Sequence, residues 1–217
     1  MSPRAWTFLC AAGLLLFLAI VATQGMVANF NPSRQQVSEY VHSSAGALMT
    51  VGFLAWSLSL VALAGLTFAA ARSRGEWGRL APLQSCALLL AAASIGLLAC
   101  FPTDRGIEVA GAVTNATFTG HVHDAASALS TVSLLVAALT GALRRSGSIR
   151  VLTLALVVTG IACSVALLAI GDPVPGIRQR VLLATGCLWQ IAWLLMLRAE
   201  TAPTSPGSSA DSRCSTS

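Results

Sequence analysis

The chain has 217 residues, of which 55% are hydrophobic and 10% are charged, and its mean hydropathy is +0.76. About 25% of the residues of a soluble domain are charged, so the composition excludes an ordinary soluble domain and predicts an integral membrane protein. The net charge of +5 comes from arginine, since the chain has no lysine. The arginines stand at the ends of apolar segments. The chain lacks the basic stripe with interleaved aromatic residues that predicts nucleic-acid binding.

Six apolar segments have about the 20 residues that a helix needs to cross the hydrocarbon core of a bilayer. Backbone groups in lipid must be hydrogen-bonded within the segment, so each span is a helix. The sequence therefore predicts an all-α polytopic membrane protein, a six-transmembrane-helix bundle formed by residues 1–198. The spans are about 5–27, 43–71, 81–101, 124–143, 151–170 and 181–198.

The first apolar segment and the polar C-terminal segment each have a distinctive composition. Residues 5–27 resemble a signal peptide, but the apolar run is longer than the usual 7–15 residues or so, and we interpret it as an uncleaved anchor. Residues 199–217 are rich in Ser, Thr, Pro and Gly. Such a composition cannot bury enough apolar surface to fold, so we predict a disordered tail.

The arginines predict the orientation in the cell membrane. One face of the bundle carries nine of them and the other face carries four. The positive-inside rule places the nine in the cytoplasm, together with both termini. The nine are Arg4, Arg72, Arg74, Arg79, Arg144, Arg145, Arg150, Arg198 and Arg213.

Titratable residues are concentrated at the other, outer face. All three histidines and five of the eight acids lie there. Long polar loops carry functional residues more often than short basic turns do, so we expect a functional site at this face. The residues are His42, His121 and His123, with Glu39, Asp104, Glu108, Asp124 and Asp172.

The first outer loop contains a helix-start pattern. Asn31-Pro32 favours a turn, and Ser33 followed by Gln36 predicts a capping box. A helix that starts there places Glu39 and His42 on one face, one turn apart. The segment is either an amphipathic entry to the second span or part of a functional site, and the sequence does not decide between the two.

The third span ends at Phe101-Pro-Thr-Asp104, and the fourth begins near Gly120-His-Val-His-Asp124. If residues 120–124 are helical, His121 and Asp124 share a face and His123 points elsewhere. If they are extended, His121 and His123 point the same way. Both alternatives remain open.

These residues suggest chemistry at the outer interface, where the bound partner would be a membrane lipid or an anionic or isoprenoid-like small molecule. We expect arginines to hold an anionic headgroup, although each could instead pair with a nearby acid. The candidate acid–base groups are Glu39, Asp104, His121, His123 and Asp124, and the candidate headgroup-binding residues are Arg34, Arg178 and Arg180.

A divalent metal such as zinc is a further candidate ligand. Zinc sites use three or four His, Cys or carboxylate ligands, and the outer face has enough of them if its loops meet in space. The HExxH pattern is absent. The metal-ligand candidates are His42, His121, His123 and Asp104.

Three motifs carry a family resemblance: Asn31-Pro-x-Arg-Gln-x-Val-Ser-Glu-Tyr40, Phe101-Pro-Thr-Asp104 and Gly120-His-x-His-Asp124. With them the chain resembles the bacterial six-span membrane family of unknown function numbered 998, over residues 5–197. The resemblance implies a six-helix fold in which the motifs form one site, and it implies no activity. The residues that match the family motifs are Arg34, Ser38, Glu39, Asp104, His121 and Asp124.

The chain is more loosely similar to the ceramidase-like intramembrane zinc hydrolases. Ser38, Asp104, His121 and His123 are similar in type to the residues of that group. The group has seven spans and a late HxxxH motif that this chain lacks, so the similarity serves only as an analogy.

Two functional hypotheses follow. The first is a membrane-embedded enzyme that modifies a lipid or isoprenoid-like substrate at the outer interface. The second is a non-enzymatic lipid-binding, sensor or accessory subunit. A transporter would need polar groups at the middle of the membrane, where the chain has only Ser, Thr and Gln190. Haem bound through two histidines would need them deeper in the spans.

Overall fold

The computed structural model describes residues 1–27, 31–75, 78, 80–104, 107–109, 112–114, 117–167 and 174–201. Six of its helices are long and apolar enough to cross a membrane, which confirms the predicted all-α six-helix fold. These helices are α1 (Pro3–Val27), α2 (Ala47–Ser73), α3 (Leu80–Cys100), α4 (Phe118–Leu143), α5 (Ser148–Leu167) and α6 (Pro175–Thr201). The predicted tail beyond residue 201 lies outside the described residues.

Three helix starts at the outer face differ from the predicted ones. α6 begins six residues earlier than predicted, at Pro175. α2 begins four residues later, at Ala47. α4 begins at Phe118, because the hydroxyl of Thr117 caps it by accepting a hydrogen bond from the Gly120 N–H at 3.1 Å. The motif at residues 120–124 is therefore helical. In the segment between α3 and α4, strands β1 (Ile107–Val109) and β2 (Ala112–Thr114) form a short antiparallel pair.

Each helix packs against the next one along the chain, and α6 returns to contact α1 and α2. Trp6 near the start of α1 contacts Gly65 near the end of α2, so the two helices run antiparallel. The bundle thus has an arginine end, formed by residues 1–6, 72–75, 144–150 and 198–201. Its opposite, histidine end is formed by residues 31–46, 101–104, 117–124 and 174–180.

A polar network joins α6 to α1 and α2 inside the bundle. The Gln190 side chain accepts a hydrogen bond from Trp56 Nε1 at 3.0 Å and donates to the Ser59 hydroxyl. Ser59 Oγ in turn donates to the backbone oxygen of Cys10 at 2.7 Å. All four side chains are buried. Interhelical hydrogen bonds of this kind hold membrane helices together, so the polarity of Gln190 serves packing.

Close helix contact fixes α1 on α2. A Cβ atom added at Gly13 would lie 2.5 Å from the backbone oxygen of Ala55. Glycine at this position lets the two backbones approach, as small residues do at membrane helix interfaces. α1 therefore sits in a defined position relative to the segment that leads into α2.

Candidate functional site

A strap, defined as residues 31–46, crosses the histidine end of the bundle between α1 and α2. It contains a 3₁₀ helix at Val37–His42, in which Val37, Ser38, Glu39 and Tyr40 are buried. The 3₁₀ helix of the strap is therefore packed against the bundle.

The capping box predicted at Ser33 and Gln36 is wrong by three residues. Residue Gln36 is the N-cap, and Glu39 Oε1 accepts a hydrogen bond from its backbone N–H at 2.8 Å. The Ser33 N–H instead donates to the Asn31 side chain at 3.0 Å, and the Gln35 N–H donates to the Asn31 backbone oxygen at 2.9 Å. These hydrogen bonds to Asn31 close a turn, and the helix begins only after it, at Val37.

Glu39 and His42 share one face of this 3₁₀ helix, because residues three apart are eclipsed at three residues per turn. Glu39 is 9% exposed. Burial raises the pKa of the Glu39 carboxyl above its ordinary value of 4.5, against the opposing effects of the Gln36 N–H and of the charges on His42 and Arg180. Glu39 therefore keeps its proton to a higher pH than an exposed carboxyl does.

Two histidines bind the short segment that follows α3. His123 Nδ1 lies 2.8 Å from the Phe101 backbone oxygen, and His42 Nε2 lies 2.6 Å from the Thr103 backbone oxygen. A carbonyl oxygen only accepts, so both ring nitrogens carry the proton. In the neutral rings the lone pairs are therefore on His123 Nε2 and His42 Nδ1.

The helical conformation of residues 120–124 separates their side chains. His123 is buried, with 3% of its surface exposed, whereas His121 and Asp124 are exposed. This is the arrangement that the helical alternative predicts, with His121 and Asp124 on the same face. His123 is the residue of the motif that reaches the strap and the α3 terminus.

Asp104 holds the start of α4. Its Oδ2 accepts from the Thr117 N–H at 2.9 Å, and its Oδ1 accepts from the Thr117 hydroxyl at 2.7 Å. A carboxylate next to a helix N-terminus is favoured by the helix dipole. The clamp between Asp104 and Thr117 therefore sets where α4 begins, and with it the direction of His123.

Arg180 of α6 holds the strap. Its Nη1 donates to the backbone oxygens of Pro32 and Gln35 at 2.7 and 2.8 Å, and to that of Gly176 at 2.9 Å. Its Nη2 donates to the Tyr40 hydroxyl at 2.8 Å, and the guanidinium lies 5.7 Å from the centre of the Tyr40 ring. In this structure Arg180 binds protein groups. Of the other two predicted headgroup-binding residues, Arg34 is exposed and Arg178 is half-buried.

Two glutamines that the sequence analysis did not single out also fix the strap. Gln179 accepts from the Val37 N–H at 2.6 Å. Gln24 of α1, which is fully buried, donates to the Ala45 backbone oxygen at 2.6 Å and accepts from the Ser43 hydroxyl at 2.9 Å. A glutamine beside an apolar run is a usable signal, since a buried amide requires hydrogen-bond partners.

The histidine end thus brings together three of the candidate residues and not the others. His42 and His123 bind the backbone of residues 101–103, and Glu39 lies close enough to His42 to interact with its charge. Among the described residues, no three His, Cys, Asp or Glu side chains form a group that could hold a metal ion. The zinc hypothesis stays a prediction. The candidates outside the convergent set are Arg34, Asp104, His121, Asp124, Arg178 and Arg180.

The chain matches one protein family over most of its length. A family model described as "Protein of unknown function (DUF998)" matches residues 10–196. The chain belongs to the DUF998 family. Comparison with curated proteins and with solved structures gives no match. In this DUF998 protein, the residues of all three motifs contribute to the histidine end.

Replacing Arg180 by Lys tests how the strap is held. The lysine keeps the charge but cannot reproduce the forked donor, so partly buried carbonyl oxygens of the strap lose a partner, at a cost of about 1 kcal/mol. We expect a lower thermal unfolding midpoint of the purified protein in detergent. Arg34→Gln is the matched control, because Arg34 is exposed on the same strap and its loss should stay within about 0.5 kcal/mol. Equal midpoints for the two variants would show that Arg180 does not hold the strap.

Glu39→Gln tests the buried carboxyl. Because the pKa of Glu39 is raised in the folded protein, its contribution to stability is present below pH 4.5 and is lost as the pH rises through the folded-state pKa. The glutamine retains an acceptor for the Gln36 N–H and carries no charge. The two proteins should therefore unfold at similar temperatures near pH 4, and the variant should become the more stable one as the pH rises. A difference in unfolding midpoint that is constant across this range contradicts the prediction.

Proposed function

We propose that the histidine end is the acid–base site of a membrane-embedded enzyme that modifies a lipid or isoprenoid-like substrate at the outer interface. The observation that carries the proposal is the pair of oriented histidines. His42 and His123 each donate to a backbone carbonyl of the same segment, at 2.6 and 2.8 Å, which fixes the tautomer and directs a basic nitrogen away from that segment.

The three convergent side chains differ in the proton roles that suit them. His123 Nε2 carries a lone pair and suits a general base. Glu39, whose pKa is raised by burial, suits a general acid, because it retains its proton to a higher pH than an exposed carboxyl does. His42 is only half-buried, so it offers a route by which protons exchange with solvent.

The substrate class follows from the setting of the site. The strap covers the ends of apolar helices, so a molecule that reaches Glu39 and His123 has to be amphipathic. Arg34 is exposed on the strap, where it could contact a phosphate or carboxylate headgroup. Arg180 is better suited to positioning the strap than to binding a headgroup, because its donors already meet protein oxygens.

The closed state of the site favours a second candidate function, a proton-responsive sensor or accessory subunit. Glu39 and His123 are 9% and 3% exposed, and both bond to protein groups. Protonation of such a set would alter how the strap is held without any turnover. In that case, pH would change the conformation of the strap while no lipid product forms.

Activity is tested with the full chain in nanodiscs made from total lipid extracts, with products detected by mass spectrometry. If the convergent set carries the reaction, His123→Gln and Glu39→Gln should each lower product formation about 10²- to 10⁴-fold, the usual effect of losing an acid–base group. Ser44→Ala, at an exposed position of the same strap, is the control.

The two histidines of the Gly120–Asp124 motif distinguish the buried set from the exposed face. His121→Gln should lower the rate much less than His123→Gln does. An equal loss would move the chemistry to the face shared by His121 and Asp124. The absence of any product that depends on Glu39 or His123 would leave the sensor hypothesis. Elemental analysis of the same preparation tests zinc, and a metal-free active protein would contradict it.

We also propose that the arginine end and both termini are cytoplasmic, so that the histidine end faces outward. The support is the excess of arginines at one end of the bundle, which the positive-inside rule assigns to the cytoplasm. Ser44→Cys, in a background without the native cysteines, should react with a membrane-impermeant thiol reagent added to intact cells. Arg150→Cys at the opposite end should react only after the cells are opened. The reverse pattern would overturn the orientation.

A further inference from the structure

The peptide group between Gln35 and Gln36 connects α6 to the buried Glu39 carboxyl. Arg180 Nη1 donates to its oxygen at 2.8 Å, and its N–H donates to Glu39 Oε1 at 2.8 Å. The group is planar and trans, so its C=O and N–H point in opposite directions. A guanidinium that fixes the oxygen therefore also fixes the N–H that Glu39 receives. Its charge strengthens that N–H as a donor, because hydrogen-bonded groups polarise one another.

Gln179, the neighbour of Arg180 in α6, holds the same part of the strap. Its Oε1 accepts from the Val37 N–H at 2.6 Å, and its Nε2 donates to Gln36 Oε1 at 3.1 Å. A backbone N–H can only donate, so the bond to Val37 fixes which end of the Gln179 amide faces each partner. Residue Gln36 is thus bound to α6 through its side chain as well as through the peptide group before it.

The start of α6 lies this close to the strap because residue 176 is glycine. The Gly176 N–H donates to the Ser33 backbone oxygen at 3.0 Å. A Cβ atom added at Gly176 would collide with the backbone oxygens of Pro32 and Gln35. The first turn of α6 is therefore in backbone contact with the strap, and residues 179 and 180 of the next turn reach the strap through short hydrogen bonds.

The Gln36 N–H determines which oxygen of Glu39 holds the proton. An N–H donor requires an unprotonated oxygen, so the proton of the neutral carboxyl lies on Oε2. Burial raises the pKa of Glu39, and the Gln36 N–H is the first of the opposing effects, ahead of the charges on His42 and Arg180. The position of this N–H therefore affects both where the proton is held and how readily it leaves.

We propose that Gln179 and Arg180 are positioning residues for Glu39. They hold residues 35–37 so that the Gln36 N–H meets Glu39 Oε1, and Oε2 is then the oxygen that delivers the proton. The catalytic meaning of this arrangement rests on the proposed acid–base function, whereas the hydrogen-bond chain itself can be tested without it. α6 thus acts on the site through the strap, without contact between its own side chains and the reacting atoms.

The titration of Glu39 tests the proposal without any substrate. The full chain in phosphatidylcholine nanodiscs is titrated by infrared difference spectroscopy, and the carbonyl band of the protonated carboxyl is assigned as the band that Glu39→Gln removes. Gln179→Leu releases Gln36 and Val37 from α6. This variant should raise the pKa of Glu39 above that of the wild type, because the Gln36 N–H then binds the carboxylate less well.

Gln24→Leu is the matched control. Gln24 is also a glutamine with two hydrogen bonds to the strap, but its partners are Ser43 and Ala45. Its loss should lower the unfolding midpoint and leave the titration of Glu39 where it is in the wild type. Equal shifts of the Glu39 pKa in Gln24→Leu and Gln179→Leu would show that Glu39 responds to any loosening of the strap. That result, or no shift in Gln179→Leu, would overturn the proposal.

Two further measurements apply if Gln179→Leu does not fold. Gln36→Ala keeps the backbone N–H and removes the side chain that Gln179 binds, so it should also raise the pKa of Glu39. Hydrogen exchange of the wild type needs no variant: the amides of Gln36 and Val37 should both be protected, since Glu39 and Gln179 accept from them. An unprotected Gln36 amide would contradict the chain.

Product formation separates this proposal from the enzymatic one. With an active preparation, Gln179→Leu should lower the rate by up to about 10²-fold, the usual cost of a misplaced catalytic group. It should also move the alkaline limb of the pH profile to higher pH, following the pKa of Glu39. A shifted titration without any product would support the positioning of Glu39 while the enzymatic proposal fails. A Glu39-dependent product with an unchanged rate and titration in Gln179→Leu would refute the positioning alone.

Discussion

A polar group inside an apolar bundle has no water to bind, so the protein itself must supply its partner. This constraint accounts for the contacts of several polar side chains inside the bundle and at its ends. Gln190 joins three helices in the core. Gln24 and Arg180 donate hydrogen bonds to carbonyl oxygens of the strap. Gln84 accepts a hydrogen bond from Arg144. The histidine end follows the same rule. The functional candidates there are oriented by the hydrogen bonds that they make with backbone N–H and carbonyl groups.

The fold could be predicted from the sequence because six apolar runs of sufficient length dominate it. The start of α4 could not be predicted from hydropathy, since its first turns are polar. Thr117 caps the helix, and Asp104 fixes Thr117 from 13 residues away in the chain. Hydropathy indicates where the membrane-embedded part of a helix begins. The helix itself begins where its first N–H groups have hydrogen-bond acceptors.

The candidate site could be predicted as a region but not as a set of contacts. The choice between His121 and His123 depends on helical phase, and the phase depends on a cap that the sequence does not mark. The strap residues that Arg180 and Gln179 bind lie 140 or more residues earlier in the chain. The sequence predicts an anionic headgroup or a nearby acid as the partner of each arginine, whereas Arg180 donates to backbone oxygens of the strap. A sequence read without contacts shows which charges are present and not which oxygens meet them.

The clamp between Asp104 and Thr117 has a consequence for how the chain can vary. It ties together the two residues that flank 105–116, so the distance across that segment is fixed from outside it. Closing a longer loop costs little additional entropy once its ends are held. Insertions between residues 105 and 116 should therefore leave His123 in place. We therefore expect the segment to accept an inserted epitope or reporter.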